Sequence, residues 1–202
     1  MKLLEDCTFC NAKLGDRSQI YERTIIETPN FRVFPTLGQI AEGYLLIVPK
    51  EHYACVGSMP EPVLDEMIEL KDEVDKRLTG AYQKPIYFEH GVIGQTVLHA
   101  HMHAVPCEHD AHITSNFNSN FANYKFINSI KDLKDIWQKK GVYLYYEAGS
   151  EKAVFYTDIM PMYARIVVAG TLDVPERANW RTMDRKLDDE MIQRTLDKLR
   201  KK

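Results

Sequence analysis

Three histidines at alternate positions, His99, His101 and His103, are the side chains of this chain best placed to do chemistry. If Leu98 to Val105 is a strand, alternate residues share a face and stand ~7 Å apart at Cα. His99, His101, His103 and Val105 then take one face, and Leu98, Ala100, Met102 and Ala104 take the other. Neighbouring members of the trio could share one metal ion, but the outer two, ~13 Å apart in a straight strand, make three on one ion awkward. The trio therefore divides its labour. A lone histidine is ordinarily a partly exposed surface group. Three at strict spacing, backed by an apolar face, read as a site. The middle one, on an ordered strand, suits a nucleophile, and its neighbours can fix its tautomer or handle protons.

The second chemical group is Cys7-Thr-Phe-Cys10. A C-x-x-C pair offers two thiolates to one tetrahedral Zn²⁺. Its redox alternative wants the pair to open a helix in a thioredoxin-like unit. Asn11 to Gly15 carries only a weak helical pattern, so zinc is the preferred reading. Cys55 and Cys107 have no partner at metal spacing and read as small buried side chains. Four cysteines in 202 residues do not make a disulfide scaffold and suit a reduced, cytoplasmic chain.

Several elements must position these groups. Phe31 to Phe34 and Tyr44 to Pro49 read as strands, with Gly38 to Gly43 turning between them. Ser58 with Glu61 makes a capping box, and Leu64, Met67, Ile68, Lys71, Val74 and Leu78 recur with helical period, which predicts a helix over roughly 60–79. Ile86 to Phe88 is a short strand, and Pro106 ends the histidine strand. The polar stretch 109–123 reads as a loop and boundary. Beyond it, Ile127 to Trp137 is helical, and Val142 to Tyr146 with Ala153 to Tyr156 forms a hairpin across Gly149-Ser150. Met162 to Leu172 and Leu187 to Leu199 are helical, the latter ending in Lys and Arg as a helix C-terminus prefers.

The run Gly94-Gln-Thr-Val-Leu-His99-Ala-His101-Met-His103-Ala-Val-Pro106 closely resembles the signature of the histidine-triad superfamily, in which three histidines alternate with apolar residues after a Gly-Gln-Thr or Gly-Gln-Ser. Gly43 to His52 is similar to that family's second, upstream segment, so the resemblance covers roughly residues 7–108. It implies an α+β, HIT-like fold with an antiparallel sheet packed against helices, and assembly as a homodimer. It implies that His101 is the nucleophile that takes up a nucleotidyl group, that His103 assists, and that Gln95, Thr96 and His103 line the phosphate site. Zinc-containing relatives use a Cys, Cys, His, His set whose last ligand is the first triad histidine. Carried onto this chain, the set is Cys7, Cys10, His52 and His99, with a structural Zn²⁺, which leaves His101 free. Three positions depart from the family pattern. Tyr44 stands where a histidine is frequent, Glu89 or His90 where Asn or Gln is, and no Asn stands near Thr36. These bear on substrate choice more than on fold. A histidine at 103, not a glutamine, leans toward hydrolases and phosphoramidases and away from uridylyltransferases.

Bulk composition narrows the partners. With 45% hydrophobic and 27% charged residues, the chain can bury a core that holds a rigid site. Its net charge of −3 argues against a general nucleic-acid or anionic-membrane binder, so a phosphate site must be local. No signal peptide and no transmembrane stretch is expected. The expected layout is a histidine-triad domain with its zinc site over 1–109 and a C-terminal α/β extension over 110–202 packed on it. In that extension Arg165, Arg177 and Arg181 are candidates to meet phosphates. His90 could line the site, whereas His109 and His112 read as surface loop residues. The expected activity is hydrolysis of a nucleoside phosphoanhydride or phosphoramidate, such as a diadenosine polyphosphate, through a nucleotidyl-histidine intermediate. Its alternatives are a nucleotidyltransferase or phosphorylase, and a nucleotide-binding regulatory protein with little catalysis.

Overall fold

The computed structural model describes residues 7–10, 20–107, 111–118, 124–156 and 159–200. Its frame is one antiparallel sheet of eight strands: β1 (Ile26–Glu27), β2 (Phe31–Pro35), β3 (Leu45–Pro49), β4 (Pro85–Gly91), β5 (Met102–Pro106), β6 (Tyr124–Phe126), β7 (Tyr143–Ala148) and β8 (Glu151–Phe155). They lie in the order β1-β2-β3-β5-β4-β7-β8-β6. Six helices flank the sheet: α1 (Ile20–Arg23), α2 (Glu61–Ala81), α3 (Ala111–Asn118), α4 (Asp132–Lys140), α5 (Tyr163–Thr171) and α6 (Arg185–Leu199). This is the α+β arrangement, an antiparallel sheet packed against helices, that the sequence predicts.

Strands β3, β4, β5 and β7 are buried along nearly their whole length, which explains their near-continuous apolar runs. The twofold period of a strand sends alternate residues to opposite faces. Leu45, Ile47, Tyr87, Met102, Ala104, Tyr143 and Tyr145 enter one core, where α2 lays down Leu64, Met67, Leu70, Val74 and Leu78. Leu46, Val48, Ile86, Phe88, Val105, Leu144 and Tyr146 enter the other, closed by Ala164, Val168 and Ala169 of α5 and Phe117 of α3. The register Leu46–His103–Phe88 across β3, β5 and β4 places His103 on this second face.

The helix predicted over 60–79 forms as α2, but not with the predicted cap. Pro60 is its N-cap residue and makes no side-chain cap bond. Ser58 instead belongs to a short 3₁₀ turn over Val56–Ser58, where its hydroxyl donates to Cys55 O at 2.7 Å. A serine hydroxyl satisfied by its own turn has nothing left to cap the helix. The hairpin across Gly149-Ser150 is present, with Ala148 opposite Glu151. The helix predicted over Ile127 to Trp137 starts only at Asp132, as α4; the stretch read as a loop holds α3, and β6 lies where the sequence predicts no element. Both elements are too short for a clear period to show in sequence.

The strand predicted over Leu98–Val105 begins only at Met102. His99 and His101 precede the ladder. Ala100 N donates to Tyr53 O at 2.7 Å, so this backbone is tied to the loop after β3 and not to a neighbouring strand. No helix among the described residues is long and apolar enough to cross a membrane.

Residues beyond 110 supply inner structure. β7 pairs along β4 from Tyr87–Glu147 to Gly91–Tyr143, and α6 fastens the β2–β3 loop: Asp188 accepts from Gly38 N and Gln39 N, and Thr195 Oγ1 accepts from Gly43 N. A chain ending at His109 would leave β4 an unpaired edge and bare the core under α5, a template for aggregation. It is expected to elute as aggregate in light-scattering chromatography. A monodisperse truncated chain with native-like circular dichroism would contradict this.

Candidate functional site

The site is built where the Tyr53–Ser58 segment, the glycine loop before β5 and the Cys7–Cys10 turn meet. Gly94 has φ +74°, and a Cβ there would stand 3.1 Å from His90 and from the Met160 carbonyl, so glycine lets the loop lie against α5's approach. Gln95 donates from Nε2 to Ala54 O at 3.0 Å, and Thr96 sits half-buried beside it.

His99, His101 and His103 are all buried, and their rings do not lie in one row. His99 turns toward the cysteines. Its Nε2 lies 2.9 Å from Pro49 O, and because a carbonyl only accepts, that nitrogen carries the proton. Nδ1 is left with a lone pair, 3.4 Å from Cys7 Sγ and 3.5 Å from Cys10 Sγ. His52 Nδ1 is 3.4 Å from Cys10 Sγ. The four ligand atoms of Cys7, Cys10, His52 and His99 all lie within 4.8 Å of one another. On a tetrahedral Zn²⁺ with ordinary Zn–S and Zn–N bonds, sulfur and nitrogen ligands stand ~3.5 Å apart, so this set fits the ion. The sequence-predicted quartet is thus brought together in space.

His101 Nδ1 donates to the His99 carbonyl at 2.6 Å, which leaves Nε2 as the lone-pair nitrogen. Its ring lies edge-on to His103 with centroids 4.8 Å apart. His103 stacks on Phe88 at 4.3 Å, and its Nδ1 is 2.6 Å from the Tyr44 hydroxyl. His103 Nε2 is buried with no hydrogen-bond partner. His90 also lines this wall, edge-on to His103 at 6.2 Å, and its Nε2 accepts from Ala164 N at 3.3 Å.

Burial dominates the electrostatics of these rings. It pushes His99 down to about 4 and His90 to about 3, and holds His101 below and His103 well below the usual imidazole value. The Arg165 charge adds to the depression at His90, His101 and His103. All four imidazoles are neutral near pH 7, as an attacking nitrogen must be.

Arg165, on α5, is buried, whereas Arg177 is half-buried with Nη1 3.2 Å from Ile40 O. Arg181 is exposed and lies over the Trp180 ring, while the buried Arg165 guanidinium donates to the Arg177 carbonyl at 3.1 Å. Cys55 and Cys107 are buried thiols, as expected. His109 lies outside the described residues, as does the side chain of His112.

The roles of two residues escaped the sequence reading. Phe9, between the two cysteines, sets its ring edge-on to His99 at 5.6 Å and His101 at 5.4 Å, so the C-x-x-C turn also covers the central histidine. Glu89 is fully buried and accepts from Val56 N at 2.7 Å and from the Tyr143 hydroxyl at 2.7 Å; that hydroxyl in turn accepts from Gly57 N at 2.9 Å. The carboxylate thereby anchors the segment whose Ala54 carbonyl holds Gln95. A charge within the apolar run Pro85-Ile-Tyr-Phe-Glu89 was the available signal.

Residues 17–110 match the HIT domain family. It is similar to "Protein hit" of Bacillus subtilis (strain 168), 23% identical over 110 residues that make up 52% of this chain and 74% of that protein. Among solved structures, it resembles a Zn-bound histidine triad family protein from Mycobacterium smegmatis, with 16% identity, a TM-score of 0.42, and coverage of 66% of this chain and 91% of that one. It also resembles the yeast Ap4A phosphorylase Apa2, with 10% identity, a TM-score of 0.46, and coverage of 89% of this chain and 80% of that one.

Burial lifts Glu89 from its ordinary 4.5 to about 7. The native state therefore holds this proton more tightly than the unfolded chain does. The site's contribution is full below pH 4.5 and is lost as pH rises through 7. Glu89→Gln keeps an acceptor for Val56 N without the charge. In denaturant titrations, the stability of wild type relative to Glu89→Gln is expected to fall by about 3 kcal/mol from acid to neutral pH. A difference that does not change with pH would show that folding leaves the Glu89 carboxyl at its ordinary value.

Proposed function

We propose that the protein is an enzyme that cleaves a nucleoside phosphoanhydride or phosphoramidate, a diadenosine polyphosphate being one such substrate, with His101 as nucleophile. The observation that carries this reading is the His101 Nδ1–H bond to the His99 carbonyl, which leaves an unprotonated Nε2 on a buried ring packed beside the neutral imidazole of His103. Nε2 attacks the α-phosphorus. The bond from phosphorus to the leaving oxygen or nitrogen breaks, and the leaving group departs with a proton. Water then attacks the phosphorus of the nucleotidyl-histidine, releases a nucleoside monophosphate, and returns the lone pair to Nε2. Gln95 and Thr96, with backbone N–H groups of the glycine loop, steady the non-bridging oxygens, and His103 handles the proton at the leaving group.

Cys7, Cys10, His52 and His99 would hold a Zn²⁺, and since four protein ligands complete a tetrahedron, its contribution is structural. It would fasten the chain's first residues to the loop after β3 and to the residue whose carbonyl orients His101. Cys10→Ser and His99→Ala are expected to lower bound zinc, measured by elemental analysis, and to lower the melting temperature by many degrees, because structural zinc can supply roughly 10 kcal/mol of apparent binding energy in small sites. Metal-free protein with an unchanged melting temperature would remove the zinc site from this scheme.

The nucleophile is tested by trapping. Rapid quench with labelled diadenosine polyphosphate or adenosine phosphoramidate is expected to leave acid-labile, base-stable label on the wild type and none on His101→Asn. Turnover should be abolished in His101→Asn with nucleotide binding largely retained, and reduced roughly 10²–10⁴-fold in His103→Ala. Running the reaction with and without inorganic phosphate tells water from phosphate as the acceptor. Near wild-type turnover by His101→Asn would overturn the mechanism.

A further inference from the structure

Arg165 lies in the C-terminal part of the chain, yet its charge is felt at the triad. It is 3% exposed. Nε donates to Ala178 O at 2.8 Å, and Nη2 donates to Gly38 O at 2.7 Å and to Arg177 O at 3.1 Å. No carboxylate of the described residues lies within ion-pair distance of it, so the charge is held by carbonyl dipoles. Gly38 accommodates the contact: at φ +74° it has no Cβ, and one placed there would meet Arg165 Nη2 at 2.8 Å and Trp180 Cβ at 2.4 Å. A guanidinium this confined has few other positions to occupy.

Its Cζ lies 5.2 Å from the centre of the Tyr44 ring, and the Tyr44 hydroxyl is 2.6 Å from His103 Nδ1. That hydrogen bond has two possible senses. The tyrosine donates to a lone pair on Nδ1, or an Nδ1–H donates to the tyrosine oxygen. A fixed cation decides between them. The O–H dipole turns its oxygen toward the positive charge and its hydrogen away, and in a buried site that preference is not screened. The hydrogen then points at His103 Nδ1. With Nδ1 accepting, a neutral His103 must carry its proton on Nε2, the buried nitrogen that has no protein partner.

We propose that Arg165 is a positioning residue of the triad site: acting through Tyr44, it holds His103 in the Nε2–H tautomer, so that this N–H is a ready donor to a phosphoryl or leaving-group oxygen. The inference deepens the hydrolase reading and rests on it for the identity of the acceptor, but the tautomer exists with or without turnover. It also gives the departure at Tyr44 a role, since a phenol beside a cation is a donor of defined direction.

The test is ¹⁵N-edited NMR of the imidazole rings in the full-length protein as purified, near pH 7, with the His103 signals assigned by their loss in His103→Asn. Wild type is expected to show His103 neutral and protonated on Nε2. Tyr44→Phe and Arg165→Met are expected to move it to a mixture of tautomers, and Arg165→Lys, which keeps the charge, to restore most of the Nε2–H form. A His103 protonated on Nδ1 in wild type, or an unchanged ring in both Tyr44→Phe and folded Arg165→Met protein, overturns the proposal. If Arg165→Met does not fold, Tyr44→Phe decides alone. Wild type with the Nε2–H tautomer but no covalent label in the trapping experiment would sink the hydrolase mechanism and leave this inference standing.

Discussion

The hydrogen bond from His101 Nδ1 to the His99 carbonyl, 2.6 Å long, is the contact on which the rest of the site depends. It joins two roles in consecutive turns of backbone. The carbonyl of His99 sets which nitrogen of His101 is bare, while the ring of His99 turns to Cys7 and Cys10. For both to hold, the backbone here must leave the regular ladder, and it does: β5 starts only at Met102. Ala100 N is instead bonded to Tyr53 O, which keeps an otherwise unpaired amide satisfied in a buried place.

Everything near this bond serves to hold it still. Glu89 pins the 3₁₀ turn over Val56–Ser58 from the α2 side of the sheet, and Gln95 hangs from Ala54 in the same segment. Phe9 rides on the C-x-x-C turn and lies against both His99 and His101. From the opposite face, α5 brings Ala164 N to His90 and Arg165 to Tyr44, and α6 secures the β2–β3 loop through Asp188 and Thr195. The Cys7, Cys10, His52 and His99 cluster and the C-terminal helices thus clamp the same few residues from two sides. Pre-organisation of this sort keeps the His101 ring at a fixed angle.

Burial has a cost, and the chain meets it with partners. Each imaginable charge on His90, His99, His101 and His103 is suppressed by desolvation, so the pocket holds lone pairs and N–H donors but little charge of its own apart from Arg165. The Nε2 of His103 is the nitrogen of these rings that is fully buried with no hydrogen-bond partner among the described residues. Buried polar atoms are otherwise almost always paired, and such an exception is the expected mark of a place where a ligand completes the set.

The sequence by itself determined the elements with a strong repeat and the residues with a rare one. The α2 helix, the β7–β8 hairpin and α6 were legible because apolar side chains recur at 3.6 or 2 residues over enough length to outvote local exceptions. Cys7, Cys10, His52, His99, His101 and His103 were legible because their types and spacing are improbable without a shared task. What only the tertiary structure decided was which residues meet. The break in β5 before Met102 comes from the hydrogen bond to Tyr53, a contact between segments that no local pattern encodes. The places of β6 and α3 depend on pairing and packing against β8 and α5. Glu89 and Arg165 acquire their roles from partners 33 and 127 residues away, Val56 and Gly38. A periodicity is a property of neighbours in sequence, whereas a buried charge is defined by what the fold brings within reach of it, and that is set only when the sheet has closed.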